Sequence, residues 1–358
     1  MKRIILHMMT AAVLLITSCN KLDYDGNSGQ ITMLTPISGE LTIFMAGSGT
    51  VTIDWGNKTK VETHKLLAFD VDVWGIRGGA LNYKFSHDYS GTSARTIKIT
   101  GAITHLFCSH NQLTDLNISN NTGLIYLKCS DNQLSSLDVS KNTALIDLDC
   151  LNNQLTNLDV SSCSALIRLG CCNNQITSLD VSKNKALTRL YCGGNPLKRL
   201  DVSKNALIEL GCSDNQLSSL DVSNNTSLLY LDCSRNQLTS LNVSNNTALK
   251  TFICDFNQFT KLDVSSNTAL VWLSCRSNQL TNLNVRNNSV LETFACQSNQ
   301  LSAEGLNDLF STLHNNPSRV YLNKTVFICN NPGTDNCTQS NATNKEWTVD
   351  VTNLLIPW

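Results

Sequence analysis

Ten cysteines recur in register along the chain: Cys108, Cys129, Cys150, Cys171, Cys192, Cys212, Cys233, Cys254, Cys275 and Cys296. The step is 21 residues, and 20 only between Cys192 and Cys212. Regularly spaced thiols offer three chemistries: cross-linking, metal ligation and nucleophilic attack. Cross-linking fits poorly. Parallel strands lie about 4.8 Å apart, within disulfide reach, but side chains in register point the same way and miss the dihedral of about 90°. Zinc and iron–sulfur sites need ligands that converge, and a column does not. His105, Cys108 and His110 look like a metal cluster, yet strand alternation turns Cys108 inward and His105 outward. The column is expected to be buried free thiol, a small apolar filler. Cys163 replaces a loop asparagine and Cys172 follows Cys171 on the outward side, and both read as drift.

No other chemistry is nominated. The sequence has no H-E-x-x-H, P-loop or G-x-S-x-G motif, and His64, His87, His105, His110 and His314 are scattered. No catalytic residue, metal or cofactor is therefore assigned, and the chain is read as a binding protein rather than an enzyme.

The thiols belong to a repeat. An asparagine lies three residues after each, from Asn111 to Asn299, and one unit reads L-x-x-L-x-C-x-x-N-x-L-x-x-L-D-V-S-x-N-x-x, as over 124–144. Leu127 and Cys129 alternate with Tyr126, Lys128 and Ser130, a strand with one face in and one out. A single unit cannot close a core, so units must stack and share one. The asparagine is expected to bond backbone groups of the adjacent coil.

The outward face is where binding is expected. Each strand shows three positions, at −3, −1 and +1 from its cysteine, giving a concave face about 45–50 Å long at strand spacing. Five of these are aromatic (Phe107, Tyr126, Tyr191, Tyr230, Trp272) and nine are charged (Lys128, Asp147, Asp149, Arg168, Arg189, Glu209, Asp232, Asp255, Arg276). Both counts are about twice what the composition supplies, and Tyr, Trp and Arg are hot-spot residues. Gly170 and Gly211 flank Tyr191 along its column, which predicts hollows beside its ring and a contact centre at Tyr191, Arg168, Arg189 and Glu209.

The ends differ from the middle. Lys2 and Arg3 precede an apolar run from Ile4 to Ile16, too short to span a bilayer and suited to a secretory signal over 1–18. Residues 19–30 read as a flexible tether and 31–101 as short alternating strands, including Thr50–Trp55 and Thr96–Thr100. The repeats are bounded at 102–301, and 302–358 reads as a C-terminal cap: a helix with Ser302 as N-cap and Leu306, Leu309, Phe310 and Leu313 inward, then a strand near 319–328. Cys329 and Cys337 lie eight apart across Asn331-Pro332-Gly333 and suggest a disulfide.

The 358 residues carry 27 Lys plus Arg against 28 Asp plus Glu, a net charge of −1 that argues against a nucleic-acid partner. Asparagine, at 43 residues, is unusually common. The repeat accounts for that excess.

Several resemblances follow. Leu15-Ile16-Thr17-Ser18-Cys19 resembles the lipobox of bacterial lipoproteins, which implies cleavage before Cys19 and lipidation of its thiol. The repeat resembles the leucine-rich repeat in its cysteine form and is similar to that of the internalin J-like surface proteins, with their stacked cysteine column. "TIDWGNKT" and "FSHDYSG…TIKITG" resemble PKD-like domains, an immunoglobulin-type sandwich, although Asn57 and Lys58 depart from the usual W-G-D-G-T. Together these imply a mainly β chain: a small immunoglobulin-like β-sandwich, a leucine-rich-repeat solenoid of about ten coils and an α/β cap. The implied role is an exported, monomeric outer-membrane lipoprotein, held to the membrane by lipid alone and facing the cell surface. It would bind an extracellular protein or glycoprotein in adhesion. The alternative is a glycan-binding component of a carbohydrate-capture system.

Overall fold

The computed structural model describes residues 29–58, 60–68, 84–317 and 323–352. The signal segment, Cys19 and most of the tether lie outside the described residues. The tether's last two residues do not: strand β1 (Gly29–Thr35) begins there.

Among the described residues, one sheet of 17 strands runs from end to end. The first six are β1, β2 (Gly39–Asp54), β3 (Glu62–Lys65), β4 (Lys84–Tyr89), β5 (Arg95–Phe107) and β6 (Asp115–Asn117). β2 pairs antiparallel with β3, β4 and β5, and β1 with β5 and β6. Residue 101, the expected domain boundary, falls inside β5. The apolar residues Ile97, Ile99, Ile103 and Leu106 all reach the core, the inward side switching across an irregularity opposite Ala46 and Gly47 rather than ending the strand. Its end, His105–Phe107, is already the first parallel rung, paired with Tyr126–Lys128.

The rungs that follow are three-residue strands, β7 (Tyr126–Lys128), β8 (Asp147–Asp149), β9 (Arg168–Gly170), β10 (Arg189–Tyr191), β11 (Glu209–Gly211), β12 (Tyr230–Asp232), β13 (Thr251–Ile253), β14 (Trp272–Ser274) and β15 (Thr293–Ala295). All pair parallel and in register, so the inward leucines from Leu106 to Leu231 continue through Phe252, Leu273 and Phe294 as one stack. The core is a single cluster reaching from Ile31 to Trp347.

The solenoid does not stop at Leu301. Helix α1 (Ala303–Thr312) starts as expected, with Ser302 accepting from the Gly305 N–H and Leu306, Leu309 and Phe310 buried. It only replaces one outer loop. Strand β16 (Thr325–Phe327) then adds to β15, and after the short helix α2 (Ser340–Thr343) strand β17 (Thr348–Asp350) adds to β16, both parallel. Ile328 takes the cysteine place and Asn331 the asparagine place, donating to Cys296 O at 3.0 Å and Ile328 O at 2.8 Å. Cys329 and Cys337 are not joined in a disulfide, and Cys337 Sγ lies 3.4 Å from Thr334 O.

Two asparagine columns tie the rungs together. In the first, Asn132 Nδ2 donates to Cys108 O, Cys129 O and Ser130 O at 3.1, 2.9 and 3.2 Å, while its Oδ1 accepts from Asn111 and Leu113 N–H. Asn111 itself bonds the backbone of Thr42 in β2, in both directions, at 3.0 and 2.7 Å. The second column lies in the outer loop: Asn184 donates to Val160 O and Cys163 O at 2.9 and 2.8 Å. Cys163 occupies that column in its own coil, its thiol 3.6 Å from Val139 O and Asn142 O. It is not drift. A thiol is a weak donor, and the column uses its side chains as donors to these carbonyls.

Candidate binding face

The strands are only three residues long, so their outward positions form narrow columns fixed by register. The −3 column runs His105, Tyr126, Asp147, Arg168, Arg189, Glu209, Tyr230, Thr251, Trp272, Thr293. The −1 column runs Phe107, Lys128, Asp149, Gly170, Tyr191, Gly211, Asp232, Ile253, Ser274, Ala295. Every residue nominated from sequence lies on this face or at its +1 edge.

Its charges are largely spent on one another. Arg168 reaches Asp147 at 3.0 Å and Asp149 at 3.3 Å. Arg189 Nε donates to Glu209 at 3.2 Å, and the Tyr191 hydroxyl donates to the other oxygen of the same carboxylate. Arg276 holds Asp255 at 2.6 Å, with the Ser274 hydroxyl on that acid at 2.6 Å. Burial nevertheless pushes the carboxyls of Asp147 and Asp255 above the usual range, against the pull of their arginines. The same loss of solvent, with Glu209 beside it, pushes the Tyr191 phenol well up.

The N-terminal rungs are closed by rings. Tyr126 stacks on His105 with centroids 4.6 Å apart, and Lys128 Nζ sits 5.5 Å above the Phe107 ring. Burial lowers the His105 pKa to about 4, so it is neutral at pH 7. Trp272 stands in register between Thr251 and Thr293.

The hollows expected beside Tyr191 are filled. A Cβ on Gly211 would meet the Tyr191 ring at 3.0 Å, and one on Gly170 would meet the Leu151 methyl at 2.9 Å. The glycines make room for neighbouring side chains that lean over them. Among the described residues no group of three or more His, Cys, Asp or Glu is arranged to hold a metal.

One column was not anticipated. The residue two after each cysteine sits in the left-handed region, including Asp131, Asn152, Asn173, Asp214, Arg235 and Phe256, with φ between 50° and 55°. Most are residues that tolerate it, and Phe256 is not. Its exposed ring is held between guanidiniums, Arg235 at 4.3 Å and Arg276 at 5.4 Å from the centroid. The positional repeat was visible in the sequence, but the backbone sign was not.

The thiol column is inward throughout and free, each residue at 0% exposure. Several thiols point at the next rung's carbonyl, as Cys254 Sγ does at 3.4 Å from Ser274 O. Burial raises their pKa values, that of Cys108 to about 12.

No protein-family model matches the sequence, and no curated protein matches it. Solved structures do. The functional domain of InlJ from Listeria monocytogenes, which includes a cysteine ladder, is 34% identical with a TM-score of 0.62; the match covers 75% of this chain and 59% of that one. A leucine-rich-repeat protein of Leptospira interrogans is 22% identical with a TM-score of 0.55, over 65% of this chain and 62% of that one. An internalin of Listeria monocytogenes is 24% identical with a TM-score of 0.50, over 64% and 74%. The chain thus spans 59% and 62% of the first two. The architecture is that of a leucine-rich-repeat solenoid with a cysteine ladder, and among the described residues no helix is long and apolar enough to cross a membrane.

Proposed function

We propose that this chain is a surface-anchored binding or adhesion lipoprotein that recognises a host or microbial protein or glycoprotein on its concave face. One observation carries the reading: the outward columns gather aromatic side chains and arginines on a rigid, in-register sheet, as protein interfaces do. Similar solenoids occur in protein complexes, among them one of latrophilin, Unc5D and an FLRT2 leucine-rich-repeat domain. A standard interface takes about 800 Å² from each partner, which a face of this length can supply. Nothing separates the N-terminal strands from the solenoid. With Asn111 bonded to Thr42, they act as its cap rather than as a separate PKD-like sandwich.

Biotinylated proteins from a host-cell surface or mucus extract provide the probe. The wild-type chain should retain a protein species. A Tyr230→Ala/Trp272→Ala variant with an unchanged melting curve should retain it at least about tenfold less, as removal of two hot spots implies. Equal retention by both would overturn the placement. Saturable hits on short oligosaccharides, with no protein retained, would favour the carbohydrate-capture alternative.

The anchor is tested separately. Export with Cys19→Ala should abolish labelling by an alkyne fatty acid and release the protein from the membrane fraction. Persistent labelling and sedimentation would remove the lipobox reading.

A further inference from the structure

Pairing along the concave face leaves one carboxylate over. Lys128 and Arg168 stand among Asp147 and Asp149, Arg189 against Glu209, and Arg276 against Asp255. Each of those groups sums to zero. Asp232 remains, and among the described residues no cation lies at ion-pair distance from it. Its Oδ1 accepts from the Ser234 N–H at 2.9 Å and the Ser234 hydroxyl at 2.6 Å, both from its own rung. A second carboxylate, Asp214, also acts on it and is itself 3.7 Å from Arg235 Nε.

Two tyrosines stand near this half-buried acid on the same face, with Ile253 on its other side. Tyr230 precedes it by two residues on the same strand, so both side chains stand on one face. Across the column lies Gly211, in register with Asp232, and the Tyr191 ring occupies the space above that glycine. Tyr191 is tied down by its hydroxyl on Glu209 and by the Arg168 guanidinium 5.7 Å from its ring centroid.

We infer that Asp232, Tyr191 and Tyr230 form a receptor for one basic side chain, a lysine or arginine, of the protein bound on the concave face. A carboxylate takes charge-assisted hydrogen bonds from ammonium or guanidinium, and phenol faces attract a cation that comes within about 6 Å. A half-buried carboxylate without a counter-ion gains more from a charged donor than from a neutral hydroxyl, which favours a basic peptide over a neutral sugar. The inference rests on the concave-face reading and sharpens it to a partner that presents a basic residue.

Small blocked amino acids test the receptor without a known partner. Nα-acetyl-arginine amide and Nα-acetyl-lysine amide are titrated into the isotope-labelled protein, with the neutral isostere Nα-acetyl-citrulline amide beside them. The two cations should shift the amides of Gly211, Tyr230 and Asp232, with citrulline about tenfold weaker, as loss of a charge-assisted bond implies. Asp232→Asn should erase the difference, while Asp221→Asn, on an exposed outer loop, should leave it. Equal shifts from citrulline, or cation shifts that survive Asp232→Asn, would overturn the receptor. Shifts of the same amides by neutral oligosaccharides alone would assign the spot to glycan instead. If Asp232→Asn retains the captured protein while Tyr230→Ala/Trp272→Ala loses it, the face reading stands and this inference fails. If both variants retain it, the face reading is the one that falls.

Discussion

Between pH 9 and pH 10 in reducing buffer the folded protein should lose most of its stability. Ten buried column thiols carry pKa values raised by burial, Cys108 from 9.0 to about 12 and the others upward too. The unfolded chain releases these protons near pH 9, while the folded one keeps them. It therefore binds fewer protons than the native state above that pH, and unfolding becomes easier as pH rises. Below the unfolded pKa the contribution is fully present; it is lost as pH rises towards the folded one. Each thiol then costs about 0.4 kcal/mol at pH 9 and about 1.4 kcal/mol at pH 10, or about 4 and 14 kcal/mol for the column. Domain stabilities are about 5–15 kcal/mol, so the second figure is decisive. Urea midpoints followed by circular dichroism from pH 7 to pH 10.5 measure this. A midpoint unchanged up to pH 10 would refute it. Cys233→Ala provides the control: it removes one titrating thiol, so its midpoint should fall less steeply with pH, although a small cavity lowers it at neutral pH.

The same column shows why so much of the fold could be read from residue types. A strict period forces each coil to repeat its neighbour's contacts, so one unit predicts the rest. What broke the period also broke the reading. Helix α1 lengthens one coil, and Ile328 lacks a thiol, so the rung at β16 does not match a search for cysteine. The signal was still present: Val326, Ile328 and Asn331 keep the spacing of Leu, Cys and Asn. The boundary at residue 101 falls within a strand for the opposite reason, since β5 stays apolar and paired from cap to first rung and its inward side switches only at His105–Leu106.

Within the binding face, position was legible and contact was not. Register places Asp147 beside Arg168 and Arg189 beside Glu209, but that they pair with each other rather than face a partner only the structure shows. The lean of the Tyr191 ring over Gly211 did not, because a missing side chain leaves a hollow only if no neighbour fills it. The consequence is functional. A face that looked rich in free charge offers, among the described residues, one carboxylate without an ion-pair partner, Asp232, and a surface of rings and threonines beyond it.

Replacing one ladder asparagine should cost more than its single side chain suggests. Asn236 Nδ2 donates to Cys212 O at 3.0 Å, Cys233 O at 3.1 Å and Ser234 O at 3.1 Å, and its Oδ1 accepts the Leu217 N–H at 3.0 Å. Neighbours share part of this load, since Asn215 also donates to Cys212 O and Asn257 to Cys233 O. Those two carbonyls therefore keep a partner in Asn236→Ala. The Leu217 N–H does not: its residue is fully buried, and an orphaned buried donor costs about 1–3 kcal/mol. The amide's two hydrogens, shared among the three carbonyls, amount to two bonds of about 1 kcal/mol each and bring the expected loss to about 3–5 kcal/mol. Each rung contacts only its neighbours, so the loss falls on the interface between two rungs in the middle of the array. The array should then open there first. Hydrogen exchange should accelerate at Leu217 and in β11 and β12 before it does in β7 or β15, and the urea midpoint should drop. Asn236→Asp separates the two halves of the bond set, since it keeps an acceptor for Leu217 and loses all three donations. A loss below about 1 kcal/mol in Asn236→Ala, or exchange that quickens evenly along the solenoid, would show that the ladder does not couple the rungs.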